Sequence, residues 1–223
     1  IRDSFNVEWV SLPFDGIIPA LQSGQVNAAI SGMTITPERS QAVSFTDPYF
    51  QAGLAIAVRE DNETIRDIKD LAGKRIAVQI GTTGAQKAAQ IKGAKVSTFD
   101  SAALALQELI NGKVDAVVND APVTIFAVQQ AGLKGVKIVG EILTAEYYGI
   151  ALPKNSPDLK TLNRALAAVK ASGEYDTIYQ KWFEVPGLTD KVAGSDKPKE
   201  AGFDWVRLFR KLIFTGVPWT ILL

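Results

Sequence analysis

The sequence predicts an α/β fold with largely parallel sheets, and three observations carry that reading. Short apolar runs alternate with stretches of helical spacing along the chain. The connections between them are brief and marked by Gly, Pro, Asn or Asp. The composition, 47% hydrophobic and 22% charged over 223 residues, is that of an ordinary globular chain with enough length for a sizeable core. Alternating strand and helix units joined by short loops favour parallel pairing.

Phe14-Asp15-Gly16 leads into Ile17, Ile18 and Leu21 at helical spacing, with Asp15 expected as the N-cap and Gly24 as the stop. Val26 to Ile30 reads as a short strand, and Leu54 to Val58 and Arg75 to Gln79 as two more. Leu104, Leu106, Leu109 and Ile110 form a helical face closed by Gly112. Val114 to Val118 is a strand ending at Asn119-Asp120, and Pro122 suits the first turn of the helix that follows. Val136 to Val139 and Tyr148 to Leu152 complete the strands. Ser156-Pro157-Asp158 opens a helix with Leu159, Leu162, Leu166 and Val169 on one face, and Glu174 to Phe183 finishes the globular part.

Residues 187–202 carry Asp, Lys, Pro and Gly without apolar periodicity and read as a linker. Beyond it, Phe203, Val206, Phe209, Leu212 and Ile213 fall at helical spacing, and Leu212 to Leu223 is free of charge. An interfacial helix leading into a membrane segment is the expectation for residues 203–223, with a terminal helix docked on the domain as the alternative. The apolar run is shorter than the roughly 20 residues of a full span.

The chain has no His and no Cys, which excludes Ser-His-Asp and thiol catalysis, zinc fingers and iron–sulfur clusters; no metal and no cofactor is expected. Lys+Arg and Asp+Glu are equal at 24 each, so there is no basic excess of the kind nucleic-acid binding requires.

One local rule is broken, in Gly32-Met33-Thr34-Ile35-Thr36-Pro37-Glu38-Arg39. Thr36 is a good N-cap, Pro37 fits the first helical position and Glu38 suits the positive helix end. Arg39 opposes that end, at a cost of about 0.3–1 kcal/mol. It is either a carboxylate receptor beside exposed backbone N–H groups or a solvated arginine paired with Glu38 or Asp47. Gly81-Thr82-Thr83-Gly84 follows a strand and opens a helix, offering N–H groups and hydroxyls to an anion; by itself it is equally an ordinary turn. Asp120 ends a strand and is either an N-cap or a ligand for an ammonium group. All three loops follow strand carboxyl ends, where open α/β sheets bind ligands, and together they offer what a zwitterionic α-amino acid requires.

Those residues, with Phe14 to Leu21, Ser44-Phe45-Thr46-Asp47-Pro48-Tyr49, Asp70 to Lys74, Val114-Asp115-Ala116-Val117, Tyr148-Gly149-Ile150-Ala151 and Tyr179-Gln180-Lys181-Trp182-Phe183, resemble the polar-amino-acid solute-binding proteins (family 3) of ABC importers. The likeness is strongest to glutamine- and basic-amino-acid-binding members and covers residues 1–186. It implies a two-lobed periplasmic-binding-protein-like fold of type II, two mostly parallel sheets joined by two hinge strands near Leu54 to Val58 and Tyr148 to Leu152. Lobe 1 would be residues 1–53 plus 153–186 and lobe 2 residues 54–152, closing over one amino acid. The family's opening strand and helix are missing before Phe5, which would expose a sheet edge.

The resemblance further implies a ligand-binding set of Phe14, Gly32, Met33, Thr34, Arg39, Gln79, Thr82, Thr83 and Asp120. Arg39, the Thr34 N–H and a Thr83 N–H or hydroxyl would take the α-carboxylate. Asp120, the Gly32 carbonyl and the Thr34 hydroxyl would take the α-ammonium, and Phe14 the aliphatic part of the side chain. Gln79 and Thr82 stand where the family tunes preference. Some glutamine binders carry Lys in place of Gln79 and His in place of Asn119, so a broad site for glutamine and basic residues is expected.

The expected partners are an ABC permease in cis, fused through the tail, and its ATPase subunits, with the receptor outside the cytoplasm and tethered to the membrane. The same fold hosts a dehydratase of small cyclic acids and the ligand cores of membrane receptors and sensors, which are the alternatives. A dehydratase would need a general acid and a base facing the substrate, whereas Asp120 is the only clear acid in the matched loops. Residues 54–152 contain no apolar stretch long enough to span a membrane, so a non-enzymatic importer receptor is expected.

Overall fold

The computed structural model describes residues 7–129, 132–183 and 221–222. The described chain divides into two compact units: one takes the residues up to Gln51 and from Glu146 on, the other Ala52–Ala145. Residues 146–152 thus belong with the first unit.

In the first unit a 3-10 turn at Phe14–Gly16 runs into helix α1 (Ile17–Gln22), followed by β1 (Ala29–Ile30), α2 (Pro37–Ala42), β2 (Val43–Phe45) and β3 (Phe50–Ala52). The returning segment adds β9 (Glu146–Tyr148), β10 (Ala151–Pro153), α6 (Leu159–Ala171) and α7 (Glu174–Phe183). α1 buries Ile17, Ala20 and Leu21, which lie on one helical face, and the chain turns out of it at Gly24, whose φ of +73° only glycine adopts cheaply. Asp15 is not the N-cap expected of it. The chain tightens into the 3-10 turn first, so Gly16 takes the cap position and no side chain caps the helix. Ile17, Leu21, Val26, Met33 and Val43 form the core.

The strand expected over Tyr148 to Leu152 is two strands. β9 pairs with β3, and β10 pairs with β1 and β2. Gly149 separates them where a Cβ would stand 2.9 Å from the Ile35 side chain and 3.1 Å from that of Phe45. The larger sheet has the order β11-β1-β10-β2, β11 being Ile221–Leu222, and every pairing in it is antiparallel. The free side of β1 is therefore occupied by Ile221–Leu222. Residues 187–220, read as linker, interfacial helix and membrane segment, lie outside the described residues. No described helix is long and apolar enough to cross a membrane.

The second unit is a five-stranded sheet built from β4 (Leu54–Arg59), β5 (Arg75–Gln79), β6 (Lys95–Phe99), β7 (Ala116–Asp120) and β8 (Val136–Val139), in the order β6-β5-β7-β4-β8. Helices α3 (Thr83–Ala89), α4 (Ala102–Ile110) and α5 (Ala121–Gln129) connect them. Leu54, Ile56 and Val58 of β4 bury one face with Ile76, Val78 and Val118, and Ala57 buries the other with Ala77, Val117, Leu106 and Leu109. Both faces are covered, hence the nearly unbroken apolar run of β4.

The expectation of largely parallel sheets needs correcting. Among the described pairings of the five-stranded sheet, β5 with β6 and β5 with β7 are parallel, while β4 runs against both β7 and β8. Helices α3 and α4 provide the crossovers that parallel pairs need. β4 has no such crossover: it follows directly on β3, and it enters the sheet from the opposite end.

Register between β5 and β7 decides what meets at their carboxyl ends. Ile76 lies opposite Ala116 and Ala77 opposite Val117. At the amino ends, Asp115 Oδ2 accepts the Arg75 N–H at 2.8 Å, Arg75 Nη2 donates to Asp115 Oδ1 at 2.6 Å, and the Asp115 N–H donates to Arg75 O at 2.8 Å. That ladder brings Gln79 and Asp120 to the same end of the sheet. The Arg75 guanidinium, through its hydrogen bonds, holds the Asp115 carboxyl below its ordinary value. Its stabilisation is therefore present above the unfolded value of about 3.9 and disappears as pH falls through the folded one. Asp115→Asn should cost no more than about 1 kcal/mol at neutral pH, because the pair is partly solvated. In urea unfolding the gap to the unsubstituted chain should narrow between pH 5 and pH 3; a constant gap would contradict the assignment.

Candidate functional site

In the first unit the site is built around the start of α2. Thr36 is the N-cap, its Oγ1 accepting the Arg39 N–H at 3.1 Å, and Pro37 takes the first helical position. The arginine side chain then folds back. It is 8% exposed, which rules out a solvated surface arginine. Nη1 donates to Thr34 O at 2.8 Å, and the guanidinium carbon lies 5.5 Å from the centroid of the Phe14 ring. The carbonyl and the aromatic face offset the unfavourable helix end.

Thr34 forms an antiparallel bridge with Tyr148, made by Ile35 N–H to Tyr147 O at 2.8 Å and Gly149 N–H to Met33 O at 3.1 Å. In such a pair the central residue's own N–H and C=O point away from the partner strand. The Thr34 C=O accepts from Arg39 on that side, so the Thr34 N–H is directed to the same edge as the guanidinium. Gly32, at φ +60°, donates its N–H to Tyr49 Oη at 3.2 Å, and a Cβ there would lie 3.4 Å from the Tyr148 ring. Met33, expected in the ligand-binding set, has its side chain in the core at 1% exposure and can offer only its backbone.

In the second unit the predicted residues gather at the carboxyl ends of β5 and β7. Gln79 closes β5, and its Nε2 donates to Asp100 O at 3.2 Å. The Thr82 hydroxyl donates to Gln79 O at 2.7 Å and accepts the Ala85 N–H at 3.1 Å, capping α3. Its proton is thus spent inside the loop. Thr83, partly exposed, starts the helix. α3 sits against β7 so closely that a Cβ on Gly84 would stand 2.7 Å from Val118 O, two residues before Asp120. Asp120 is the last residue of β7; its carbonyl accepts from Thr124 Oγ1 at 3.0 Å, and that same hydroxyl accepts from Asn119 Nδ2 at 3.1 Å. Asn119 is buried and occupied by this contact.

Sequence reasoning missed Glu146. It is buried, 9% exposed, and its Oε2 accepts the Thr34 hydroxyl proton at 2.7 Å. The available signal was an acidic residue two positions before Tyr148 on an alternating strand, which puts it on the same inward face. Among the described residues no group of three or more acidic side chains comes together as a metal site.

Residues 2–185 match the family described as bacterial extracellular solute-binding proteins, family 3. The chain belongs to that family. This family 3 chain is 40% identical over 176 residues to the ABC transporter arginine-binding protein 1 of Escherichia coli, covering 76% of this chain and 71% of that protein. It is 35% identical over 191 residues to a probable histidine-binding protein of Neisseria gonorrhoeae, covering 82% of this chain and 70% of that one. Among solved structures, an ancestral arginine-binding protein bound to arginine is 47% identical, with a TM-score of 0.77 and 82% of each chain covered. An ancestral arginine-binding protein bound to glutamine is also 47% identical, with a TM-score of 0.75 and 82% of this chain and 83% of that one covered. The two-lobed α/β architecture of the family 3 chain is shared with these binding proteins, and the relatives named here are binding proteins rather than enzymes.

Proposed function

We propose that this chain captures a polar L-amino acid outside the cytoplasm, arginine and glutamine foremost, and delivers it unchanged to an ABC importer. The observation that carries the reading is the buried Arg39 held at the edge to which the Thr34 N–H points. A planar guanidinium beside a free-facing N–H suits both oxygens of an α-carboxylate. Thr83 adds an N–H or hydroxyl for the carboxylate, and Asp120 a negative charge for the α-ammonium. The Gly32 carbonyl and the Thr34 hydroxyl accept from the same ammonium, and Phe14 packs on aliphatic side-chain carbons. Support for arginine and glutamine comes from the arginine-binding relative of Escherichia coli, from the ancestral arginine-binding proteins bound to arginine and to glutamine, and from Gln79 and Asn119, which add no fixed charge to select one over the other.

Calorimetric titration with the twenty amino acids tests the reading. L-arginine and L-glutamine should bind, and neither should be chemically altered. Exclusive binding of a small apolar or dicarboxylic amino acid would reject it.

The partners in this proposal are a permease and its ATPase subunits, with the permease in cis through residues 203–223 and the chain tethered to the membrane. The charge-free run of Leu212 to Leu223 supports that arrangement. A tail docked on the first unit is the second reading, favoured by the pairing of Ile221–Leu222 with β1. Sedimentation with membranes after an alkaline wash supports the tether, and release into the supernatant supports the docked tail.

A further inference from the structure

We infer that Glu146 is a positioning residue that fixes the polarity of the Thr34 hydroxyl and so makes this part of the site a receptor for a cationic amine. This assignment rests on the amino-acid-capture reading above. A threonine hydroxyl has one proton and two lone pairs, and left to itself it serves a donor or an acceptor equally well. Here the proton is committed: Thr34 Oγ1 donates to Glu146 Oε2 at 2.7 Å, the length of a charge-assisted O–H···O bond. A carboxylate oxygen offers only lone pairs, so the hydroxyl cannot turn round and accept from it. What remains to Thr34 Oγ1 is acceptor capacity, which suits an ammonium N–H and repels a ligand oxygen.

The backbone holds the pair in place. Glu146 and Tyr148 lie on the same face of β9, and Tyr148 is the bridge partner of Thr34. The bonds Ile35 N–H to Tyr147 O and Gly149 N–H to Met33 O therefore fix the spacing between the hydroxyl and the carboxylate. Thr34 consequently presents two faces of opposite polarity. Its N–H, beside Arg39, serves an anion, and its hydroxyl, turned by Glu146, serves a cation. An α-amino acid carries those two charges on a single carbon, and Glu146 makes the second face selective.

The test measures L-arginine affinity by calorimetry on the full chain and on the variants Glu146→Gln, Glu146→Leu, Thr34→Val and the double variant Thr34→Val/Glu146→Leu. Glu146→Gln keeps an acceptor oxygen and should bind within about threefold of the unsubstituted chain. Glu146→Leu, similar in bulk but without an acceptor, should weaken binding by at least about tenfold. On the Thr34→Val background the same change should add less than about twofold, since there is no hydroxyl left to orient. 5-Guanidinopentanoic acid, which is arginine without its α-ammonium, should show no difference between the unsubstituted chain and Glu146→Leu. A merely structural role would move both ligands alike and would persist in the Thr34→Val background, and either result overturns the assignment. So does a Glu146→Gln loss as large as that of Glu146→Leu. Failure of the unsubstituted chain to bind any amino acid overturns instead the capture reading on which the assignment rests.

Discussion

Arg39→Ala should weaken amino-acid binding by about 2–5 kcal/mol, a loss of affinity between roughly thirtyfold and several thousandfold. The guanidinium is buried, hydrogen-bonded to the Thr34 carbonyl and set against the Phe14 ring, so its direction is fixed before any ligand arrives. Removing it leaves a buried ligand carboxylate facing no cation. Arg39→Lys separates charge from geometry: it retains a point charge but not the planar fork, and it should recover only part of the loss. Calorimetry with L-arginine reads both variants. An affinity for Arg39→Ala within error of the unsubstituted chain would remove this residue from the site. The comparison is fair only if folding is intact, and circular dichroism together with the thermal midpoint provides that control.

The largest effect on stability is expected at Gly53, which immediately precedes β4. A Cβ there would lie 2.1 Å from Thr144 O and 2.3 Å from Ile142 Cγ2. The first is a backbone atom in a segment already tied to β4, by Leu54 N–H to Thr144 Oγ1 at 3.0 Å and Leu143 N–H to Leu54 O at 2.8 Å. Neither side can retreat without breaking those bonds. Gly53→Ala should therefore cost about 1–3 kcal/mol or more and lower the thermal midpoint by roughly 3–10 °C. Gly16→Ala is the control: nothing stands within 4 Å of its added Cβ, and its φ is −80°, so its effect should stay under about 1 kcal/mol. Equal midpoints for the two variants would show that the segment yields more easily than its hydrogen bonds imply.

Local chemistry was legible in the sequence wherever a residue sat at the wrong end of something. Arg39 stood out because it opposes a helix end, and Asp120 because it closes an apolar strand; the structure buries the first and makes the second the last residue of β7. Strand positions were legible for the same reason, since the run from Arg75 to Gln79 is apolar in its interior and bounded by turns. What could not be read were relations between distant segments. β4 runs antiparallel to β7 because of how the chain enters the sheet, which no local pattern encodes. Met33 shares a motif with Gly32 and Thr34, yet its apolar side chain is drawn into the core behind them. Glu146 acquires its meaning only from Thr34, 112 positions earlier in the chain. Thr82 shows the reverse case, a hydroxyl read as available for a ligand that the loop consumes for its own turn and helix cap.

The division of the chain also sets an order of assembly. Ala52–Ala145 is one uninterrupted stretch, so the second unit can condense as soon as that stretch has left the ribosome. The first unit cannot. Its central strand β10 pairs Ala151 with Ala29 on one side and with Phe45 on the other, and both pairings close loops of more than a hundred residues. Its early half must wait, with the apolar faces of α1 and β2 uncovered, until the chain has travelled through the whole of the other unit and come back. The unit that begins later along the chain is thus the first to have all its strands, and until the returning segment arrives the exposed early part of the first unit needs shielding from aggregation.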